Sequence, residues 1–264
     1  MVSTTIADRP LRSSDSGLFM ILALVIAGVV VAGFSLQLAA GRSSFHAPLL
    51  LHAHAIVFMG WVALYVTQNA FIVTDNVELH RKLGWIGAGW IVLMLGLGCA
   101  VTVAMVRRGQ VPFFFRPQHF LVFDPMTLIG FVGLTVAAIR LRRQSDWHRR
   151  LHFCATSLLV GPAFGRLLPM PLLPPFAYEA TFAAVLVLLI SGVVADWFRS
   201  GQIHPAWVRG GAAMVGVFLL TEAVTYSPLG NAIYAAVTRG SPGETVPGLA
   251  FARPPIGPQI TGRH

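Results

Sequence analysis

Charge is what this chain most lacks. Acidic and basic residues fill 11% of its 264 positions, against about 25% in an ordinary soluble domain. With 55% apolar residues and a mean hydropathy of +0.71, that scarcity excludes a water-soluble globule. Lysine is nearly missing: of 19 basic residues only Lys82 is a lysine. It lies at the border of an apolar run, so no intramembrane amine exists for a retinal Schiff base. Cysteine is just as sparse. Cys99 and Cys154 fall in separate apolar runs near opposite membrane faces, which argues against both a disulfide and a thiolate metal site. Acidic residues number 10, leaving a formal charge of +9. The arginines behind it sit mostly in short connections between apolar runs, where they orient a chain in a bilayer, so we read no nucleic-acid partner from them. No solenoid-type repeat is present, and the one biased tract is a proline-rich C-terminus.

What the chain has is apolar length. Runs at 17–40, 48–73, 84–106, 119–140, 151–168, 177–198 and 207–228 each approach the ~20 residues that cross a hydrocarbon layer as helix. They lack the alternating pattern of a transmembrane barrel. The expected fold is therefore all-α: a polytopic membrane protein of seven transmembrane helices, with a short segment 1–16 before the domain at 17–228 and a tail at 229–264. Placing the N-terminus in the cytoplasm puts eleven basic residues inside: Arg9, Arg12, Arg81, Lys82, Arg140, Arg142, Arg143, Arg149, Arg150, Arg199 and Arg209. Seven fall outside: Arg42, Arg107, Arg108, Arg116, Arg239, Arg253 and Arg263. The excess favours N-in/C-out, with the tail extracytoplasmic. The connection PMPLLPP and the proline-bearing tail after Pro228 are expected not to form regular helix, the tail being either disordered or a cap over the outer face.

Ionisable residues inside a membrane are costly, so their positions carry information. Histidines fall where helices begin: His52 and His54 on the second run, His80 on the third, His119 on the fourth, His148 and His152 on the fifth. The sides alternate outer, inner, outer, inner. Next-but-one helices run parallel, so His54 can face His119 near the outer surface and His80 can face His152 near the inner one. Two imidazoles from two helices are a usual axial set for a b-type haem. His54, Trp61 and Gln68 share one helix face at heptad spacing. His52 and His54 lie some 200° apart, so only one of them faces the core. His46, His204 and His264 read as surface residues. Below His80, Gly84 and Gly87 leave a bare stripe that admits either a flat macrocycle or a close-packed helix.

Three buried charges stand apart from the histidines. Asp124 and Arg166 fall at similar outer depth, so an ion pair between them is expected, with Glu222 joining the group. Alternatively Arg166 meets a haem propionate, or the three charges form an ion or proton relay. At the inner face Gln68 and Asn69 end the second helix beside a basic collar of Arg81, Lys82, Arg149 and Arg150. That collar suits anionic lipid, an anionic small reductant or a quinone head group.

The stretches LHAHAIVFMGWVALYVTQNAFIV, LHRKLGWIGAGW and DWHRRLHFCATSLLVGPAFGRL resemble a bacterial multi-spanning membrane protein family whose elements are H-x-H-A, H-R-x-L-G and H-x-R-L, followed by a small-residue run ending in Arg. The residues falling on those elements are His52, His54, His80, Arg81, Gly84, His148, Arg150 and Arg166. In H-x-R-L the histidine position belongs to His148 rather than His152. The architecture also resembles the two-haem transmembrane cytochrome b family that passes electrons from ascorbate across membranes. That resemblance implies haem b held by His54 with His119 and by His80 with His152, with Arg166 beside it. The expectation is a membrane electron carrier. The alternatives are a haem-free transporter binding a metal or protons through His52, His54, His80, His148 and His152, and an accessory subunit of a membrane complex.

Overall fold

A computed structural model describes residues 11–43 and 45–253, with side chains from Ser16 onward. The described residues form helices α1 (Leu11–Ala39), α2 (Leu49–Val73), α3 (Val77–Arg107), α4 (Pro117–Arg140), α5 (Ser145–Leu158), α6 (Gly161–Leu167), α7 (Ala177–Ser200), α8 (Pro205–Thr225) and α9 (Pro228–Thr238), with short 3-10 turns at Met170–Leu172 and Pro242–Thr245. Six of them, α1 from Ser16, α2, α3, α4, α7 and α8, are long and apolar enough to cross a membrane. Arg9, Arg263 and His264 lie outside the described residues, as do Pro254, Pro255 and Pro258.

The punctuation of the chain explains where most helices stop and start. Pro117, Pro205 and Pro228 each stand in the first turn of a helix, where the missing N–H costs nothing. Gly201 closes α7 in the left-handed region at φ +68°. The fifth apolar run does not form the single helix 151–168 expected of it. Pro162 lacks a donor and its ring crowds the carbonyl four residues earlier, so α5 ends at Leu158 and α6 starts at Gly161. The junction tightens into i to i−3 bonds, Leu159 N to Thr156 O and Val160 N to Ser157 O, both 3.1 Å. The two pieces still follow one another along α1: Arg150 stacks on Phe19 and Arg166 on Phe34.

Packing is tight where small residues permit it. On α1 the buried positions Phe19, Ala23, Ile26 and Val30 repeat at helical spacing. At Gly33 the helix comes so close to the Ala163 carbonyl that a Cβ would lie 2.6 Å from its oxygen. Phe131 of α4, Phe153 and Cys154 of α5, and Trp207 and Met214 of α8 complete the same core. Large apolar side chains also cover the outside, among them Ile56, Trp85, Val92, Phe198 and Val208. An outward surface of that kind on apolar helices is what a lipid bilayer stabilises.

The tail corrects an expectation. From Pro228 it forms a regular helix, because Pro228 is the first residue of α9 and Ser227 caps it, Oγ accepting from Gly230 N at 3.3 Å. It then packs over the ends of α3, α4 and α8. Gln118 donates from Nε2 to Thr225 O (2.6 Å) and Asn231 Oδ1 (2.8 Å), and from its backbone N to Gly248 O (2.8 Å). Arg107 Nη1 reaches Val237 O at 2.6 Å, and the Tyr234 hydroxyl reaches Val246 O at 2.9 Å. Over the described residues this is a fixed cap.

Candidate functional site

Three histidines meet where α3 and α5 begin. Both helices start earlier than the apolar pattern suggests, at Val77 and Ser145, which carries His80 and His148 onto helical turns. His148 and His152 then stand one turn apart on the same face of α5, ring centroids 4.7 Å apart and planes at 82°. His80 approaches His148 from α3 at 6.2 Å and 84°. His148 thus touches both of the residues expected to pair with each other.

The second ring nitrogens are already engaged. His148 Nδ1 lies 2.8 Å from Ala138 O on α4, and His80 Nδ1 lies 3.3 Å from Gln68 O on α2. A carbonyl oxygen only accepts, so the proton of each neutral ring is on Nδ1 and Nε2 keeps its lone pair. A histidine tied this way by a backbone carbonyl is oriented as metal-binding imidazoles commonly are. The three rings are nevertheless not drawn in around one point. Among the described residues no group of three or more His, Cys, Asp or Glu side chains is placed to hold a metal ion.

The bare stripe below His80 is filled by protein. A Cβ on Gly84 would meet Gln68 Nε2 at 3.5 Å, and one on Gly87 would meet Leu64 at 3.3 Å and Trp61 at 3.9 Å. The glycines let α2 pack closely on α3, which leaves no slot for a macrocycle on that face.

The opposite end does not unite His54 with His119. His54 stacks on Phe58 of its own helix at 4.1 Å, within electrostatic reach of Arg166, and its Nδ1 has no partner. His52 Nε2 lies 3.1 Å from Phe45 O in the preceding loop. His119 is buried (5% exposed) among α4, α7 and α8. Its Nε2 is 2.9 Å from Glu222 Oε1, a close polar contact without an aligned hydrogen bond. Tyr178 stands edge-on to the ring at 4.6 Å. Beside it a cavity of about 10 Å³, lined by Arg116, Phe251 and Tyr178 among others, has room for a single water.

The expected Asp124–Arg166 pair is not formed. Asp124 accepts from Thr102 Oγ1 on α3 at 3.1 Å. Arg166 turns the other way, to Pro162 O at 2.8 Å and over the Phe34 ring at 4.0 Å. The two residues share a depth but face different helices. Glu222 joins His119 instead.

A buried ion pair lies at the His80 end, between residues whose pairing the sequence pattern did not reveal. Arg150 (4% exposed) donates from Nε to Asp196 Oδ2 at 2.8 Å and from Nη2 to Oδ1 at 3.0 Å. Asp196 (1% exposed) also accepts from Trp207 Nε1 at 2.7 Å. Arg150 sits between His148 and His152, so this bidentate clamp to α7 and α8 fixes the rotation of α5 and hence the direction of both imidazoles. The basic collar is correspondingly neutralised: Arg149 pairs with Asp146, and Lys82 with Glu78 at 2.7 Å. The available signal was depth, since Asp196 and Arg150 end and begin their runs on the same side.

His204 has a structural role. It caps α8, its Nδ1 accepting from Ala206 N at 3.1 Å, with Trp147 edge-on at 5.3 Å. Burial and then Arg150 hold its pKa below the ordinary 6.5. Cys99 and Cys154 are both free thiols. Comparison of the chain with protein-family models, curated proteins and solved structures found no match.

Proposed function

We propose that this is a metal-handling integral membrane protein whose metal is bound by His80, His148 and His152 at the cytoplasmic face. In this reading the chain crosses the inner membrane seven times in the N-in/C-out sense, α5 and α6 together making the fifth crossing and the tail capping the outer face. The observation that carries it is the preparation of two imidazoles from different helices, each with Nδ1 held by a backbone carbonyl and Nε2 left with its lone pair. All-imidazole donors suit Cu, Zn, Fe and Ni, and bound metal would supply redox or Lewis-acid chemistry beside the membrane surface. Gln68, Ala138 and the Arg150–Asp196 clamp orient the rings, and Arg81 remains on the exposed rim for an anionic partner.

A second reading keeps electron transfer by a single b-type haem between His80 and His148, fed by a quinone or small reductant. What speaks for it is the nearness of two imidazoles from different helices, ring centroids 6.2 Å apart, each with an Nε2 lone pair that would bind a haem iron. The filled glycine stripe and the separate neighbours of His54 and His119 give no support to a second haem. This pair uses His148 where the likeness to ascorbate-linked cytochromes b implies His152.

The test is metal analysis and a reduced-minus-oxidised spectrum of the detergent-purified protein. The first reading expects a stoichiometric first-row metal, lost in H148A, with no haem bands. A sharp b-type band lost in H80A and H148A selects the second reading. Colourless protein without stoichiometric metal, after growth in metal- and haem-replete medium, overturns both.

A further inference from the structure

Leading away from the imidazoles into the bundle is a line of buried polar atoms with no partner. On α2 these are Trp61 Nε1, Tyr65 Oη and Gln68 Oε1; on α4, Thr135 Oγ1; on α5, Thr156 Oγ1 and Ser157 Oγ. Trp61 and Tyr65 are 3% and 6% exposed, and Thr135, Thr156 and Ser157 no more than 1%. The spacing makes a line of them. Residues 61, 65 and 68 lie on one face of α2, and His148, His152 and Thr156 on one face of α5. Thr135 is one turn before Ala138, whose carbonyl holds His148.

Buried hydroxyls in a helix normally bond their own backbone one turn back. Thr102, Thr181 and Thr221 do so here, to Gly98 O, Ala177 O and Val217 O at 2.8–3.0 Å. Thr135 and Thr156 do not. Asn69 spends its Nδ2 on Tyr65 O at 2.9 Å, and its amide also lies within reach of the Tyr65 hydroxyl, a polar neighbour at the same level. Buried polar atoms left so by the protein are the partners of internal water.

We infer that the Trp61, Tyr65, Gln68, Thr135 and Thr156 side chains line a water-filled inlet running from the His80 end to the middle of the bundle, an access path for water and hydrated protons. From Gln68 to Trp61 it spans about 10 Å at helical rise. The inlet ends at Trp61, whose ring meets Phe131 edge-on at 5.0 Å, so it is a half-path closed by aromatic packing. It stands whether or not the imidazoles carry metal.

Hydroxyl-radical footprinting of the full-length purified protein tests it, because radicals made from bound water label the side chains that touch that water. Trp207 is the matched control: 2% exposed, with its Nε1 satisfied by Asp196. The expected result is oxidation of Trp61 and Tyr65 several-fold faster than of Trp207. Labelling of Trp61 no faster than of Trp207 overturns the inlet. Thermal stability of T135V gives a second, independent reading. In a dry site replacing an unpaired hydroxyl by a methyl stabilises the protein, so a raised midpoint in T135V also overturns the inlet, and an unchanged or lowered one supports it. Metal content, which tests the site at the mouth, is measured separately, so either idea fails without the other.

Discussion

Removing Asp196 takes the bidentate partner from a buried guanidinium. In D196A, Arg150 (4% exposed) keeps only Asp146, through Nη1 to its backbone O at 2.9 Å and to Oδ1 at 3.4 Å, and Trp207 loses its acceptor. Breaking one side of a buried pair typically costs about 3–5 kcal/mol, and an orphaned indole N–H adds about 1–3 kcal/mol. The sum is not simply additive, since the two bonds share one carboxylate. At about 2–4 °C per kcal/mol for a chain of this size, even the pair alone lowers the melting midpoint by roughly 6–20 °C. The double change R150M/D196L separates packing from charge. It deletes both partners and leaves an apolar contact, which in comparable buried pairs is neutral or stabilising by about 1–4 kcal/mol, set against the about 1–3 kcal/mol of the Trp207 N–H that loses its acceptor here as in D196A. SDS titration in mixed micelles measures all the variants on one scale. If D196A lies within about 1 kcal/mol of the parent, or the double variant is as damaged as D196A, the clamp does not do what its geometry implies. A companion readout is metal content: D196A frees α5 to rotate and lowers it, whereas R150M/D196L retains more of it.

Further expectations rest on other contacts. G33V places a branched side chain where even a Cβ would lie 2.6 Å from Ala163 O, so α1 must move off α6 at about 1–3 kcal/mol; an unchanged midpoint in the same titration would contradict this. Q118L removes two side-chain bonds that hold Thr225 and Asn231, and limited proteolysis should then cut the tail after Thr238 faster than in the parent, equal rates counting against the cap. His204 titrates against the fold. Its folded pKa is lowered, so its contribution is complete above 6.5 and is lost as pH falls through 6.5 toward the folded value. H204N keeps a capping side chain without the titration, so its midpoint should fall less than the parent's between pH 7.5 and pH 5.5; identical falls would refute the assignment.

Depth along the membrane was legible in the sequence, and rotation about each helix was not. The long apolar runs gave six helices at close to their observed positions, since hydrocarbon length and helical rise leave little freedom. Depth also placed His80, Gln68, His148 and His152 at one end. Asp124 and Arg166 show the failure: a common depth suggested a pair, but side-chain direction turned one toward α3 and the other toward α1. Asp196 and Arg150 are the converse, paired across 46 positions by a rotation that periodicity in uniformly apolar helices does not encode. Two prolines act differently from what the sequence reading expected, one in a tail expected to lack helix and one inside a run read as a single helix. Pro228 starts a helix and Pro162 divides one, and in both cases position within the turn, not the number of prolines, was the signal.

The contacts made by Gln118 set an order of assembly. The first turn of α4 is complete only when Thr225, Asn231 and Gly248 have reached it, and these emerge from the ribosome more than a hundred residues later. During synthesis the early helices must wait in the lipid with that glutamine unsatisfied, and the last stretch of chain locks them together on arrival. A truncation before Gly248 would therefore weaken the junction of α4 with its neighbours rather than merely shorten an end.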